Sequence, residues 1–158
     1  QAEDGIRDAQ ESRGLGDVYK RQPRSLGLPE PEVSGRVATS AARMGVAGVL
    51  ERPPHHLSMG QRRNAAVAGV LAMQPAVLML DEPSSNLDPR ARRRLIEVLQ
   101  GLEATLLIAS HDLRMVRRLC GLILVIDEGR IVARGGPELL ADAGLMERHG
   151  LEAVHADA

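Results

Sequence analysis

Apolar residues fall at Val33, Val37, Ala41 and Met44, at spacings of four, four and three. That is the repeat of one helix face, and it predicts an amphipathic helix over Glu32–Met44, ended by Gly45. In the ERPPHH stretch that follows, Pro53 and Pro54 resist helix continuation, so it reads as a loop. Ser58 is a good N-cap for a second helix, MGQRRNAAVAGVLAM from Met59, with Ala66, Val70 and Met73 on one face and Pro75 closing it.

The pattern then changes. Val77–Leu80 is a short, continuous apolar run, as expected of a fully buried parallel strand, and it places Asp81 at the carboxyl end. Asp88 caps a helix with Pro89 at its first position, burying Leu95, Ile96 and Leu99 opposite a solvated face of Arg92, Arg93 and Arg94. Apolar strands follow at Thr105–Ser110 and Leu122–Ile126, with DLRMVRRLC as a helix between them. Asp127–Arg130 supply a turn, Ile131–Ala133 a short strand, and GGP opens a last helix through PELLADAGLMERHG. Alternating strands and helices argue an α/β fold with a parallel sheet, preceded by a helical segment.

A chain of 158 residues, 44% apolar and 26% charged, has the size and balance of one globular domain. No apolar run approaches the roughly 20 residues of a transmembrane helix. A net charge of -1 gives no global reason to expect nucleic acid. The single cysteine, Cys120, excludes an internal disulfide and reads as core filler.

Usage is uneven at the N-terminus. Tyr19 is the only aromatic and the adjacent Lys20 the only lysine; everywhere else arginine carries the positive charge. QAEDGIRD and SRGLGDVYKRQ resemble translations of a flow-cell primer and a transposon-end adapter used in sequencing libraries, in the right order and frame. Residues 1–22 are therefore expected to be a non-native, disordered tail, with genuine protein from about Pro23. Without them the chain carries 16 basic and 16 acidic residues. The remainder divides into a helical segment over 23–74, an α/β core over 75–136 and a C-terminal helix and tail over 137–158.

The chemistry concentrates in a few stretches. Asp81 and Glu82 follow a strand as a carboxylate pair: one can hold Mg²⁺ through hard oxygen, the other can deprotonate a water. Upstream, LSMGQ stands at a helix N-terminus, where free N–H groups favour an anion and Gly60 permits close backbone approach. Downstream, His111 follows a strand in IASHDL, at the sheet edge where ligands of α/β proteins bind.

In this order the motifs resemble those of ABC ATPases: Leu57–Gln61 the signature, Leu78–Pro83 the Walker B strand, Ser84–Asp88 the D-loop and His111 the switch histidine. The similarity covers essentially all of Pro23–Glu152. SLGLPEPEV, RPPHHLSMGQRRNAAVAGVLAM and HGLE are further similar to the ATPase subunits of energy-coupling-factor importers for cobalt or nickel. The resemblance implies a partial P-loop NTPase fold and ATP hydrolysis with Mg²⁺. It implies a second ATPase subunit, homo- or heterodimeric, and transmembrane transporter subunits as partners, at the cytoplasmic face of a membrane, with no nucleic acid. It also implies roles: Ser58, Gly60 and Gln61 bind the partner's ATP, Asp88 lies at the dimer junction, Asp81 serves the metal, Glu82 is the general base and His111 contacts the γ-phosphate. Met59 departs from the usual LSGGQ, and His55 and His56 read as loop residues rather than metal ligands. The Walker A loop G-x-x-x-x-G-K-[ST], the Q-loop glutamine and the adenine-stacking aromatic have no counterpart here, nor do the early strands of the core sheet.

Overall fold

The computed structural model describes residues 15–154, which divide into two compact units. The first holds residues up to 76 together with 86–98, and the second holds 77–85 and 99 onward.

Three helices dominate the first unit: α1 (Leu15–Ser25), α2 (Glu30–Met44) and α3 (Met59–Leu71). Helix α2 buries the expected face, Val33, Val37, Ala41 and Met44, and begins two residues early because Pro31 is tolerated in a first turn. Gly45 ends it in the left-handed conformation at φ 70°, donating its N–H back to the last turn. In α3 the buried face is not the expected one. Asn64, Ala65, Val67, Ala68, Gly69 and Leu71 are buried, whereas Ala66 is exposed and Val70 and Met73 are half-buried. With alanine on several sides, apolarity alone did not single out a face.

Residues 15–22, expected to be a disordered tail, are helical here, and residues 1–14 lie outside the described part. Helix α1 packs on α2 and α3. Pro23 is fully buried, and the Tyr19 ring lies so close to Gly69 that a Cβ there would meet it. Arg24 grips Glu30 through two 2.8 Å hydrogen bonds. Those bonds, with Lys20 nearby, lower the Glu30 carboxyl to about 2 against the partial desolvation that raises it.

Helix α4 (Pro89–Gln100) buries Leu95, Ile96 and Leu99, as the pattern implies. The arginine run is not a uniformly solvated face. Arg93 is exposed, but Arg92 and Arg94 are half-buried, and the Arg94 guanidinium occupies the space beside Gly45.

The second unit contains two small sheets. Strands β1 (Val77–Asp81) and β2 (Thr105–Ala109) pair in parallel, Val77 opposite Thr105 and Asp81 opposite Ala109. Strand β1 is not buried on both faces: Leu78 is buried, but Val77 is 58% and Met79 71% exposed. A continuous apolar run does not reveal which face is covered, and among the described residues only one is. After helix α5 (Leu113–Leu119), strands β3 (Ile123–Asp127) and β4 (Arg130–Gly135) form an antiparallel hairpin, not further members of the parallel sheet. The turn between them is too short for the crossover that parallel pairing requires.

The last predicted helix is split. A 3-10 turn over Pro137–Ala141 is followed by α6 (Ala143–Arg148), because Asp142 leaves the helical region to cap α6. Leu140, Met146 and Val154 share one core with Val116, Ile123 and Val125, so the segment after 136 packs with the strands. Cys120 lies against this core, and burial pushes its thiol up.

Candidate functional site

The parallel register decides what meets at the sheet edge. With Asp81 opposite Ala109, the residues that leave the two strands, Glu82 and Ser110–His111, emerge side by side. The Glu82 N–H extends the ladder by one bond, donating to the Ala109 carbonyl at 2.8 Å. Glu82 itself has φ 43°, an uncommon conformation for a residue with a Cβ and one found where surrounding contacts hold the backbone in place.

Four donors converge on its carboxylate. Oε1 accepts the His111 backbone N–H at 2.9 Å and lies 2.8 Å from His111 Nδ1. Oε2 accepts the Ser110 hydroxyl at 3.1 Å and the Ser85 hydroxyl at 3.2 Å. Burial raises the Glu82 pKa, but the side-chain and backbone bonds from His111 and the bond from Ser110 outweigh it, so the carboxyl titrates below its ordinary value. An ionised carboxylate only accepts, so Nδ1 of His111 carries a proton, and in the neutral ring Nε2 is the acceptor. The His111 side chain is 76% exposed.

Asp81 is exposed at the same edge. No group of three or more His, Cys, Asp or Glu side chains able to hold a metal gathers among the described residues. A single exposed carboxylate fits Mg²⁺ as one ligand of a site completed by phosphate oxygens and water, the arrangement that ion favours. His55 and His56 stack edge to face, their ring centroids 4.3 Å apart, in a 3-10 turn ahead of α3.

The other sequence-derived candidates belong to the first unit. Ser58 caps α3 in a full capping box: its hydroxyl accepts the Gln61 N–H at 3.2 Å, and Gln61 Oε1 accepts the Ser58 N–H at 3.0 Å. Gly60 is half-buried, and a Cβ there would meet only Leu87 Cδ2, at 3.9 Å. Asp88 caps α4, its Oδ1 accepting the Arg90 and Ala91 N–H groups at 2.9 Å each. Those bonds, Ala91's first, lower its pKa against the partial desolvation that raises it.

Asp81, Glu82 and His111 are thus brought together at one sheet edge. Sequence reasoning missed Ser85 and Ser110, the hydroxyls on Oε2. The available signal was a hydroxyl residue directly after a strand and before the histidine.

A family model described as "AAA domain, putative AbiEii toxin, Type IV TA system" matches residues 46–117. A Streptomyces avermitilis protein named "Putative ABC transporter ATP-binding protein" is 50% identical over 131 residues, covering 82% of this chain and 50% of that protein. The energy-coupling factor transporter ATP-binding protein EcfA of Methanothermobacter thermautotrophicus is 41% identical over 133 residues, covering 82% of this chain and 43% of its own length. Among solved structures, cbiO1 of Clostridium perfringens, part of the ABC transporter complex cbiONQ, matches with a TM-score of 0.71 at 34% identity, over 87% of this chain and 57% of that one. The chain spans about half the length of the curated relatives it matches. By sequence the chain is similar to part of the ATP-binding proteins of ABC transporters, and its fold is that of a partial P-loop NTPase domain.

Proposed function

We propose that the chain is the C-terminal part of the ATP-hydrolysing subunit of an ABC importer, whose cargo is cobalt or nickel. One observation carries the reading: the Glu82 carboxylate, ionised and fixed by His111 and Ser110, stands at the carboxyl edge of a parallel strand pair, beside Asp81. A carboxylate so placed is suited to take the proton of a water attacking a terminal phosphate. His111 links the base to the nucleotide: a protonated ring donates from Nδ1 to Glu82 and from Nε2 to a phosphate oxygen, so the residue can report to the base that nucleotide is bound. Mg²⁺, when bound, neutralises the charge of the phosphate oxygens, and Asp81 is its protein ligand.

The signature residues act across a dimer. Ser58 and Gly60 start α3, a 13-residue helix whose first N–H groups and dipole favour an anion. On this reading they meet the γ-phosphate held by a second ATPase subunit, with Asp88 near the junction. The sequence resemblance to cobalt and nickel importers supports the cargo, and the relatives EcfA, named for an energy-coupling factor transporter, and cbiO1, part of an ABC transporter complex, support the transport role. The described residues contain no helix long and apolar enough to cross a membrane, so the passage itself would belong to separate transmembrane subunits.

The test uses the full-length subunit in its assembled transporter. Glu82→Gln is expected to keep Mg²⁺-dependent ATP binding while phosphate release and cobalt or nickel uptake fall by about 10²-fold or more, the usual worth of a general base. Turnover at the wild-type rate would remove Glu82 from the base role. Hydrolysis stimulated by another cargo, with none from these metals, would replace the substrate alone.

A further inference from the structure

Ser110 bridges two elements in a way that fixes its own proton. Its Oγ accepts the Asp112 N–H at 3.1 Å and lies 3.1 Å from Glu82 Oε2. With a lone pair committed to Asp112, the hydroxyl hydrogen is directed at the carboxylate. Asp112 is anchored in turn, since it caps α5 by accepting the Met115 N–H at 3.1 Å. A chain of bonds therefore runs from the start of α5 through Ser110 to Glu82.

We infer that Ser110 is a positioning residue for ATP hydrolysis: its hydroxyl holds the second carboxylate oxygen of Glu82 and so fixes the orientation of that group. The inference rests on the hydrolytic reading above. Oε1 is held by His111, whose largely exposed side chain is on this reading shared with the phosphate. The grip on Oε2 comes from half-buried Ser110 at the end of β2 and does not depend on the imidazole. The base thus keeps its orientation as nucleotide enters and leaves. Ser85 adds a second hydroxyl to the same oxygen from the loop after β1.

Removing the Ser110 hydroxyl takes from Oε2 the donor that β2 supplies and loosens the orientation of the carboxylate, which costs turnover rather than nucleotide binding.

The experiment measures kcat and KM for the full-length transporter carrying Ser110→Ala or Ser110→Thr, with nucleotide binding as the check on folding. Ser110→Ala is expected to lower kcat roughly 3- to 10-fold with KM nearly unchanged. Ser110→Thr keeps the hydroxyl and is expected to restore kcat. An unchanged kcat in Ser110→Ala would overturn the inference, as would equal impairment of the two variants. Glu82→Gln, run alongside, separates the failures. If it turns over at the wild-type rate the hydrolytic reading falls, whereas if it is inactive and Ser110→Ala is normal, only the role of Ser110 falls.

Discussion

Replacing Glu82 by Gln changes stability as well as chemistry, and the structure sets the size of the change. The carboxylate accepts four donors, His111 N–H and Nδ1 on one oxygen and the hydroxyls of Ser110 and Ser85 on the other. Glutamine retains one oxygen. It must face His111, because the backbone N–H cannot turn to accept, and the amide NH₂ then faces the two serines. Ser110 already accepts from Asp112, so its second lone pair must take the new donor. The φ of 43° at this residue is common to both forms and cancels. Hydrogen bonds to charged groups contribute about 1.5–3 kcal/mol each, but the Glu82 side chain is 34% exposed and water competes, so a net loss of about 1–2 kcal/mol is expected. In a domain of this size that is a Tm decrease of roughly 2–8 °C.

The pH dependence carries the sharper test. Folding lowers the Glu82 pKa below its ordinary 4.5, so its stabilisation is fully present above that value and is lost as pH falls through the folded pKa. Urea unfolding of wild type and Glu82→Gln across a pH series is expected to show a constant gap near neutrality that closes below about pH 4.5. Equal stability at all pH values, or a gap that widens on acidification, would refute the reasoning.

The remaining predictions concern the helical unit. Ser58→Ala should destabilise by about 1 kcal/mol in urea unfolding through loss of the capping box, whereas Ser58→Gly should cost only a few tenths. Gly45→Ala should cost about 1–3 kcal/mol, because φ is 70° and the Arg94 guanidinium fills the space a Cβ would take; the Arg94→Ala background should recover part of it. Burial raises the pKa of Tyr19, the sole tyrosine, so absorbance titration should place it above 10.0 in the folded chain, with return to the ordinary value in urea. An ordinary value in the folded chain would mean that α1 is not docked on α3.

The helix over Val33–Met44 was legible because its spacing is strict and Gly45 marks its end in a conformation that favours glycine. The site was legible for a related reason. Asp81 and Glu82 end one strand and His111 follows another, and parallel pairing brings strand ends to one edge. What could not be read was partnership. Val77–Leu80 and Leu122–Ile126 are equally apolar, yet one pairs in parallel and the other closes a hairpin, a choice set by the short turn after Asp127. The face of α3 was obscured by its alanines. Residues 15–22 were set aside for their likeness to translated adapter, whereas Tyr19 packs against Gly69 in the helical unit. Ser110 went unnoticed because a serine after a strand is ordinary until its hydroxyl is seen between Asp112 and Glu82.

On the proposed function, this chain is part of an ATPase whose phosphate-binding loop is encoded ahead of it. Reading the source DNA upstream through the codon for Pro23, from a primer within the Leu78–Asp81 codons, tests that most directly. An open frame that continues to a G-x-x-x-x-G-K-[ST] loop in place of residues 1–22 is the expected result. Genomic DNA that encodes residues 1–22 as they stand, with no such loop in frame, would contradict it.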